Sequence, residues 1–208
     1  FSFTAVYQGN SLGRVDLQIP GRHNVNNALA ALVVAHQLDL PLALARQALS
    51  DFRGTSRRFE VRGEGGGVTV IDDYAHHPTE IRATLAAARN RYPQRRLWAV
   101  WQPHTYSRIQ TLFDAFVNAF ETADFVVVME VYASREASLS GQFSARRLVE
   151  AMPGEKAFFV PSIGETVEFM LERLRPGDVM IVMSAGDADQ VSTQVLAGLP
   201  AALSERNG

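Results

Sequence analysis

The sequence of 208 residues contains no cysteine, which excludes disulfide bonds and thiolate metal sites. No apolar stretch approaches the roughly 20 residues that a membrane-spanning helix needs, so we expect no membrane insertion. Neither sign of charge predominates, since the net charge is −2, and this gives no electrostatic reason to expect nucleic acid as a partner. An initiating methionine is also lacking, and the opening FSFTAVYQGN resembles a strand already under way, which predicts a piece of a longer protein.

The residues that are present have an ordinary globular composition, 47% hydrophobic and 20% charged. The first part of the chain predicts two strands joined by a polar turn, then two helices, over residues 1–9, 14–20, 26–40 and 41–52. The turn between the strands is predicted to contain Gly9, Asn10, Ser11 and Gly13. The pattern changes after Gly54, so this first part stands apart from the rest of the chain.

The second part alternates short apolar strands with amphipathic helices after a hairpin over 57–72 whose turn is formed by three glycines. Further strands are predicted over 96–102, 124–131, 156–160 and 177–186. Helices are predicted over 78–92, 107–123, 144–152, 163–174 and 187–199. Nearly continuous apolar strands between helices are typical of a mostly parallel sheet with helices on both faces, so the predicted fold class is α/β.

Polar side chains follow four of these strands, at the point where each strand ends. The four clusters are Asp72–His77, Gln102–Arg108, Glu130–Glu136 and Ser184–Asp187. Because the carboxyl ends of parallel strands share one edge of a sheet, and ligands bind in the crevice outside that edge, we expect the clusters to converge. The segments that enter the strands are plain turns. The sequence therefore predicts a binding or catalytic site at the carboxyl edge.

Each cluster also has a purely structural interpretation. Asp72 or Asp73 would cap the next helix, with Glu80 completing an ordinary helix start. Residues 102–108 would form a polar loop, and residues 184–187 a tight turn. The coincidence of four such clusters at one edge favours the functional interpretation.

A metal site is a further alternative for the first cluster, since Asp73, His76 and His77 are ligand types that suit zinc or manganese. Adjacent histidines seldom point the same way, and no HxH or HxxxH pair supports such a site. We therefore expect no metal ligands here.

Polar residues also open the first long helix, in the stretch GRHNVNN, where Asn24 and Asn27 are spaced to share one face. Asparagine at a helix start is usually a cap. Asparagine amides also read the donor and acceptor edge of a base, because both functions lie in one plane. Both interpretations stay open at this point.

Six stretches, taken in order, closely resemble the Mur ligases, which build the peptide of the bacterial cell-wall precursor: GRHNVNNALAAL, RRFE, IDDYAHHPTEI, QPHTYSR, EVYASRE and SAGD. The resemblance covers essentially the whole chain. It implies that residues 1–50 are the end of a central ATP-binding domain and residues 51–208 a Rossmann-like C-terminal domain that brings in the amino acid. The family's phosphate-binding loop has no counterpart here, so we expect the chain alone to be inactive.

The resemblance implies an ATP-dependent ligase of the bacterial cytoplasm that joins L-alanine to UDP-N-acetylmuramate through an acyl phosphate. ATP and Mg²⁺ are implied, with Mg²⁺ held mostly by the rest of the enzyme, and no oligomeric state is predicted. One alternative is the related ligase that recycles an intact tripeptide. Others are a non-catalytic nucleotide- or metabolite-binding domain and, more distantly, a metal-dependent hydrolase.

The resemblance also implies roles for individual residues. Contacts to the nucleotide are expected from His23, Asn24, Asn27, Arg57, Arg58 and His76. Catalytic roles are expected for Asp73, His76 and Arg58, and the amine proton would pass to Asp73 or a histidine. The amino-acid pocket is expected to comprise Tyr74, His104, Arg108, Tyr132, Arg135, Ser184, Ala185, Gly186 and Asp187. Two positions depart from the usual pattern: Thr105 stands where relatives often carry arginine, and Ser184 where they usually carry glycine.

Overall fold

The computed structural model describes residues 1–139 and 143–205, and the chain divides into two compact units, one of Phe1–Phe59 and one that begins at Glu60. The first unit contains two strands and two helices: β1 (Ser2–Tyr7), β2 (Asn10–Asp16), α1 (Arg22–Gln37) and α2 (Leu42–Asp51). The assignment of domains to 1–50 and 51–208 stays a prediction.

The strands of the first unit form an antiparallel hairpin, as the sequence predicted, but the turn is tighter. Asn10 already pairs with Tyr7, so only Gln8 and Gly9 connect the strands. A bulge between Ala5 and Val6 absorbs the extra residue on β2. The inner face of the hairpin packs on α1 through a core of Ala5, Val15, Leu17, Ala28 and Leu32.

The second unit carries six strands, β3 (Glu60–Gly65), β4 (Val68–Asp73), β5 (Leu97–Trp101), β6 (Phe125–Val128), β7 (Ala157–Phe159) and β8 (Val179–Met183). Its helices are α3 (Pro78–Arg91), α4 (Tyr106–Thr111), α5 (Phe113–Val117), α6 (Arg146–Ala151), α7 (Ile163–Arg173) and α8 (Asp189–Glu205). A 3₁₀ helix spans Ser134–Leu139. The strand order is β3-β4-β8-β5-β6-β7, and only β3 is antiparallel to its neighbour. The predicted mostly parallel α/β sheet is confirmed.

Both faces of the sheet are buried at its central strands, which explains why β5, β6 and β8 are apolar without interruption. On one face, Val100 and Val182 join a core that includes Met170 of α7 and Val191 of α8. On the other, Trp101 stacks on Phe116 at 4.8 Å between ring centroids. Burying each such large side chain stabilises the fold by about 1.5–3 kcal/mol.

The prediction of one helix over residues 107–123 is wrong, because the segment forms α4 and α5 with a break at Leu112 (φ −113°, ψ 24°). The local sequence favours helix throughout, and tertiary packing overrides such weak preferences. The last helix also runs beyond its predicted end, since α8 continues through Pro200 to Glu205. In the part of the chain that the structure describes, no helix has the length and apolarity to cross a membrane.

Candidate functional site

The carboxyl edge of the sheet contains a point at which the chain turns in opposite directions after two neighbouring strands. After β8, the chain returns through α8, which packs on β3 and β4. After β5, the chain proceeds through α4 and α5 to β6 on the other side. Such a point opens a crevice between two strand ends, and ligands of open α/β sheets bind there.

Gln102 occupies this position and is only 6% exposed. Its Nε2 donates to Oδ1 of Asp187 at 2.7 Å, and its Oε1 accepts from Oγ of Ser184 at 2.8 Å and from the amide of Ala188 at 3.3 Å. Ser184 Oγ in turn accepts from the amide of Gly186 at 2.8 Å. The serine therefore links the turn after β8 to the end of β5. Gln102 belongs to a predicted cluster, but no sequence pattern indicated this linking role.

The loops after β5, β6 and β8 are interlocked. A Cβ on Gly186 would lie 2.5 Å from Oε1 of Gln102 and 2.7 Å from the ring of Tyr132, so only glycine fits this approach. Tyr132 stacks on His104, with ring centroids 5.6 Å apart. Its amide donates to the carbonyl of Pro103 at 2.8 Å, and its carbonyl accepts from Thr105 at 3.0 Å. The structure thus brings together residues that the sequence places in three separate clusters.

Arg108 lies beside His104 in the first turns of α4. Its Nη1 is 3.3 Å from Nδ1 of the imidazole and 3.4 Å from the His104 carbonyl. Among the described residues, no carboxylate lies within 4.0 Å of the guanidinium. Burial lowers the pKa of His104, and the charges of Arg108 and His76 lower it further against an opposing effect of Glu136. A neutral imidazole beside an arginine of this kind suits the binding of an anion.

Thr105 has a φ of +67°, an unusual conformation for a β-branched residue and one that is enriched at functional sites. It precedes α4 without capping it through its side chain. Glu136 takes that role, because its carboxylate accepts from the amide and the hydroxyl of Ser107. These bonds to Ser107, the hydroxyl first, lower the pKa of Glu136.

The first cluster begins within β4, because Asp72 and Asp73 are the last residues of the strand. The interpretation of either aspartate as the helix cap is wrong: His77 is the N-cap of α3, and Glu80 completes a capping box. Pro78 is the first helical residue, as predicted. Asp73 instead accepts from the amide of Ala75 at 2.8 Å through Oδ1.

His76 extends the row of rings across the crevice. Its ring centroid lies 5.5 Å from that of Tyr74 and 6.0 Å from that of His104. Its Nδ1 is 2.9 Å from the Tyr74 carbonyl and 3.5 Å from Oε2 of Glu80. Within residues 1–139 and 143–205, no three His, Asp or Glu side chains converge in a way that would hold a metal ion.

Four other predicted site residues lie in the 3₁₀ helix, in the turn after β8 and at the end of the first unit. Arg135 is exposed at the start of the 3₁₀ helix, and Ala185 is half-buried between Ser184 and Gly186. Arg57 and Arg58 belong to the first unit, at its end, where Arg57 has a φ of +56°. Their predicted approach to phosphates stays a prediction.

The helix start in the first unit is capped by Gly21, without a side-chain bond, so the interpretation of the asparagines as caps is wrong. Asn24 donates from Nδ2 to the Pro20 carbonyl at 2.7 Å. Asn27 donates to Oδ1 of Asn24 at 3.4 Å, which confirms that the two amides share one face. His23 and Asn27 are exposed at this surface.

Comparison with protein families shows that a model described as "Mur ligase, glutamate ligase domain" matches residues 57–186. The UDP-N-acetylmuramate–L-alanine ligase of Caldanaerobacter subterraneus subsp. tengcongensis is 41% identical over 197 residues, which cover 94% of this chain and 42% of that protein. The enzyme of the same name from Salinibacter ruber is 46% identical over 187 residues, which cover 89% of this chain and 39% of the relative. The chain thus spans well under half the length of these relatives.

Two solved structures show the same relationship. The crystal structure of UDP-N-acetylmuramate-alanine ligase MurC from Thermotoga maritima superimposes with a TM-score of 0.75 at 30% identity, over 90% of this chain and 40% of the other. A murein peptide ligase from Psychrobacter arcticus superimposes with a TM-score of 0.68 at 25% identity, over 96% and 42%. Both support the mostly parallel α/β fold of the second unit.

Proposed function

The chain belongs to the Mur ligase family, and we propose that it is the C-terminal part of an ATP-dependent ligase that joins L-alanine to UDP-N-acetylmuramate during peptidoglycan synthesis in the bacterial cytoplasm. ATP would phosphorylate the muramyl carboxylate, and the amine of alanine would displace phosphate from the acyl phosphate. The names of relatives that are 41% and 46% identical support L-alanine as the amino acid.

The observation that carries this proposal is the pairing of Arg108 with His104 at the crevice, 3.3 Å apart. A free amino acid must be held by its carboxylate, and the planar fork of a guanidinium does this with two parallel bonds. Beside that cation, His104 stacks on Tyr132, whose ring adjoins Gly186. We infer that a pocket built from these residues accepts a small side chain such as the methyl group of alanine.

The remaining roles follow the predicted pattern. The amino-acid pocket would comprise Tyr74, His104, Arg108, Tyr132, Arg135, Ser184, Ala185, Gly186 and Asp187. The nucleotide would contact His23, Asn24, Asn27, Arg57, Arg58 and His76. Asp73, His76 and Arg58 would act on the reacting groups, since a tetrahedral intermediate of acyl transfer needs donors and positive charge nearby.

Mg²⁺ is expected to accompany ATP in this family. The described residues hold no converging set of three carboxylate or imidazole ligands. We therefore assign no metal ligand to this chain and derive no step from the ion.

The test is phosphate release by the complete protein that contains this chain, supplied with ATP, Mg²⁺ and UDP-N-acetylmuramate. L-Alanine, glycine, L-serine and the tripeptide would be compared in parallel, with the 208-residue chain alone as a control. Strongest release with L-alanine supports the proposal. Release only with the tripeptide would assign the protein to the recycling ligases, which the similarity to a murein peptide ligase makes the second candidate. Absence of release with every substrate would favour a binding domain.

A further inference from the structure

The imidazole of His76 has only one of its two nitrogens available to accept a proton. Nδ1 faces the carbonyl oxygen of Tyr74 at 2.9 Å and the carboxylate oxygen Oε2 of Glu80 at 3.5 Å. A carbonyl and an ionised carboxylate only accept hydrogen bonds, so Nδ1 carries a proton whether the ring is neutral or charged. The lone pair of the neutral ring is therefore on Nε2.

Glu80 is held in place by the start of α3. The same Oε2 accepts from the amide of His76 at 3.0 Å and from the amide of His77 at 3.1 Å. The carboxylate is thus oriented by the backbone before any ligand arrives, and it lies on the Nδ1 side of the His76 ring. In serine hydrolases, a carboxylate placed in this way fixes the tautomer and the orientation of the catalytic histidine.

We propose that Nε2 of His76 accepts the proton of the incoming amine and that Glu80 is the positioning residue for this step. The inference rests on the proposed ligase function and deepens it, because it identifies the proton acceptor. The ring of His76 lies 6.0 Å from His104, which adjoins the arginine proposed to hold the carboxylate of the same amino acid. The amine and the carboxylate of an α-amino acid are separated by one carbon, so both are near these rings.

Asp73 and His104, the other two candidate proton acceptors, are less suited to this step. Asp73 is only 5% exposed, and its Oδ1 already accepts from the amide of Ala75. Burial, together with the charge of the adjacent Arg108, lowers the pKa of the His104 ring. His76 is instead faced by Glu80, by the ring of Tyr74 and by His104. His76 therefore combines a lone pair on Nε2 with a carboxylate beside Nδ1, and neither Asp73 nor His104 shows this combination.

In the proposed step, proton transfer to His76 precedes bond formation. The ammonium of L-alanine loses one proton to Nε2 of His76 and becomes a neutral amine. The amine nitrogen then bonds to the acyl carbon while the carbon–oxygen bond to phosphate breaks, and phosphate leaves with that electron pair. The second proton on nitrogen passes to the departing phosphate, and the imidazolium later returns its proton to water.

The chain supplies a matched control, because α7 begins with the same capping box. Glu165 accepts from the amide of Ser162 at 3.2 Å and its own amide donates to Oγ of Ser162 at 3.3 Å. No histidine takes part in the cap of α7. Glu165→Gln therefore reproduces the helix-capping cost of Glu80→Gln without touching the proposed proton acceptor.

The experiment compares the three variants Glu80→Gln, His76→Gln and Glu165→Gln in the complete protein. We expect His76→Gln to lower kcat by about 10²–10⁴-fold, the usual contribution of a proton-transfer group. Glu80→Gln should lower kcat by roughly tenfold or more with an unchanged KM for ATP, while Glu165→Gln keeps kcat within about twofold. The two glutamate variants should lose similar thermal stability.

Two kinetic results would overturn the inference. One is a kcat for Glu80→Gln equal to that of Glu165→Gln; the other is a His76→Gln variant that only raises the KM for ATP, which would place His76 on a phosphate. A wild-type protein without alanine-dependent phosphate release would instead contradict the proposed function itself. Nitrogen NMR of the imidazole provides a readout independent of turnover: neutral His76 should carry its proton on Nδ1, and a proton on Nε2 would contradict the geometry.

Discussion

The two edges of the parallel sheet both carry charged side chains, but these side chains differ in their hydrogen-bond partners. At the amino edge, Asp178 is 2% exposed and accepts two bonds of 2.7 Å from Arg96, one of 3.2 Å from the indole of Trp98 and one of 2.9 Å from the amide of Arg175. At the carboxyl edge, Arg108 faces a histidine ring and a carbonyl. Charges that are paired within the chain stabilise the fold, whereas a charge beside a neutral acceptor remains available to a ligand.

Other cations at the amino edge follow the same rule. Nζ of Lys156 donates to the carbonyls of Phe120, Glu121 and Ala123 at 3.0–3.1 Å. Arg89 pairs with the carboxylate of Asp124 at 2.7 Å. The side chains of this edge therefore complete one another's hydrogen bonds, and we expect substitutions there to affect stability more than turnover.

The largest expected effect on stability comes from replacing Asp178 at the amino edge. Replacement by alanine leaves Arg96 and the indole of Trp98 without their shared acceptor, and we expect a loss of about 3 kcal/mol in the free energy of unfolding. Urea denaturation of the 208-residue chain measures this. Glu172→Ala, which removes an exposed pair with Arg173, is the control and should stay within about 0.5 kcal/mol. Equal losses in the two variants would remove the distinction between the edges.

Replacement of Arg108 tests the role of charge at the carboxyl edge. In the complete protein, Arg108→Ala should raise the KM for L-alanine by roughly 30-fold, equivalent to about 2 kcal/mol for a charge-assisted pair. The free energy of unfolding of the chain should change by no more than about 0.5 kcal/mol. Arg91→Ala, at an exposed site on α3, is the matched control and should alter neither quantity. A large loss of stability in Arg108→Ala would mean that the charged side chain of the carboxyl edge also stabilises the fold.

Gln102 sharpens the comparison, because it is a carboxyl-edge residue whose bonds are completed within the chain. Gln102→Leu deprives the Ser184 hydroxyl and the Ala188 amide of their acceptor, and we expect a loss of about 1–2 kcal/mol in unfolding free energy. Gln190→Leu, at an exposed position of α8, provides the control for the added leucine. Full stability in Gln102→Leu would show that the network does not hold the loops.

The smallest expected effect is a pH dependence from His104. Its pKa in the folded chain lies below the ordinary 6.5, so the unfolded chain binds the proton more readily. The free energy of unfolding is therefore unaffected by His104 above pH 6.5, where the ring is neutral in both states. It decreases as the pH falls from 6.5 through the folded pKa, because the unfolded chain takes up the proton first. Urea unfolding at several pH values above 5 should show this slope, and His104→Gln should reduce it. Arg108→Ala should reduce it less, because burial is the larger cause; an unchanged slope in His104→Gln would contradict the assignment.

Most elements of the second unit were predictable because β5, β6 and β8 are apolar without interruption and turn residues separate them from the helices. The order of the strands was not. β8 lies between β4 and β5, a position decided by packing between distant segments, for which no local pattern exists. The same reason explains the break at Leu112, where local helix preference yields to the stacking of Phe116 on Trp101.

The site shows the same division between local and distant information. The clusters at the strand ends were predicted, since the sheet edge follows from the alternation of elements. The linking role of Gln102 was not predictable, because its partners Ser184 and Asp187 lie 82 and 85 positions away. Glu80 was predicted as part of the helix start, but its contact with the ring of His76 depends on the conformation of the turn.

The central place of β8 has a consequence for how the protein is made. This strand pairs with both β4 and β5, yet it is the last of the eight strands described to leave the ribosome. Until it emerges, the hairpin of β3 and β4 and the group of β5, β6 and β7 present unpaired strand edges toward each other. Such edges invite pairing with other chains during synthesis. Completion of the sheet, and of the crevice along it, therefore waits until β8 has been synthesised.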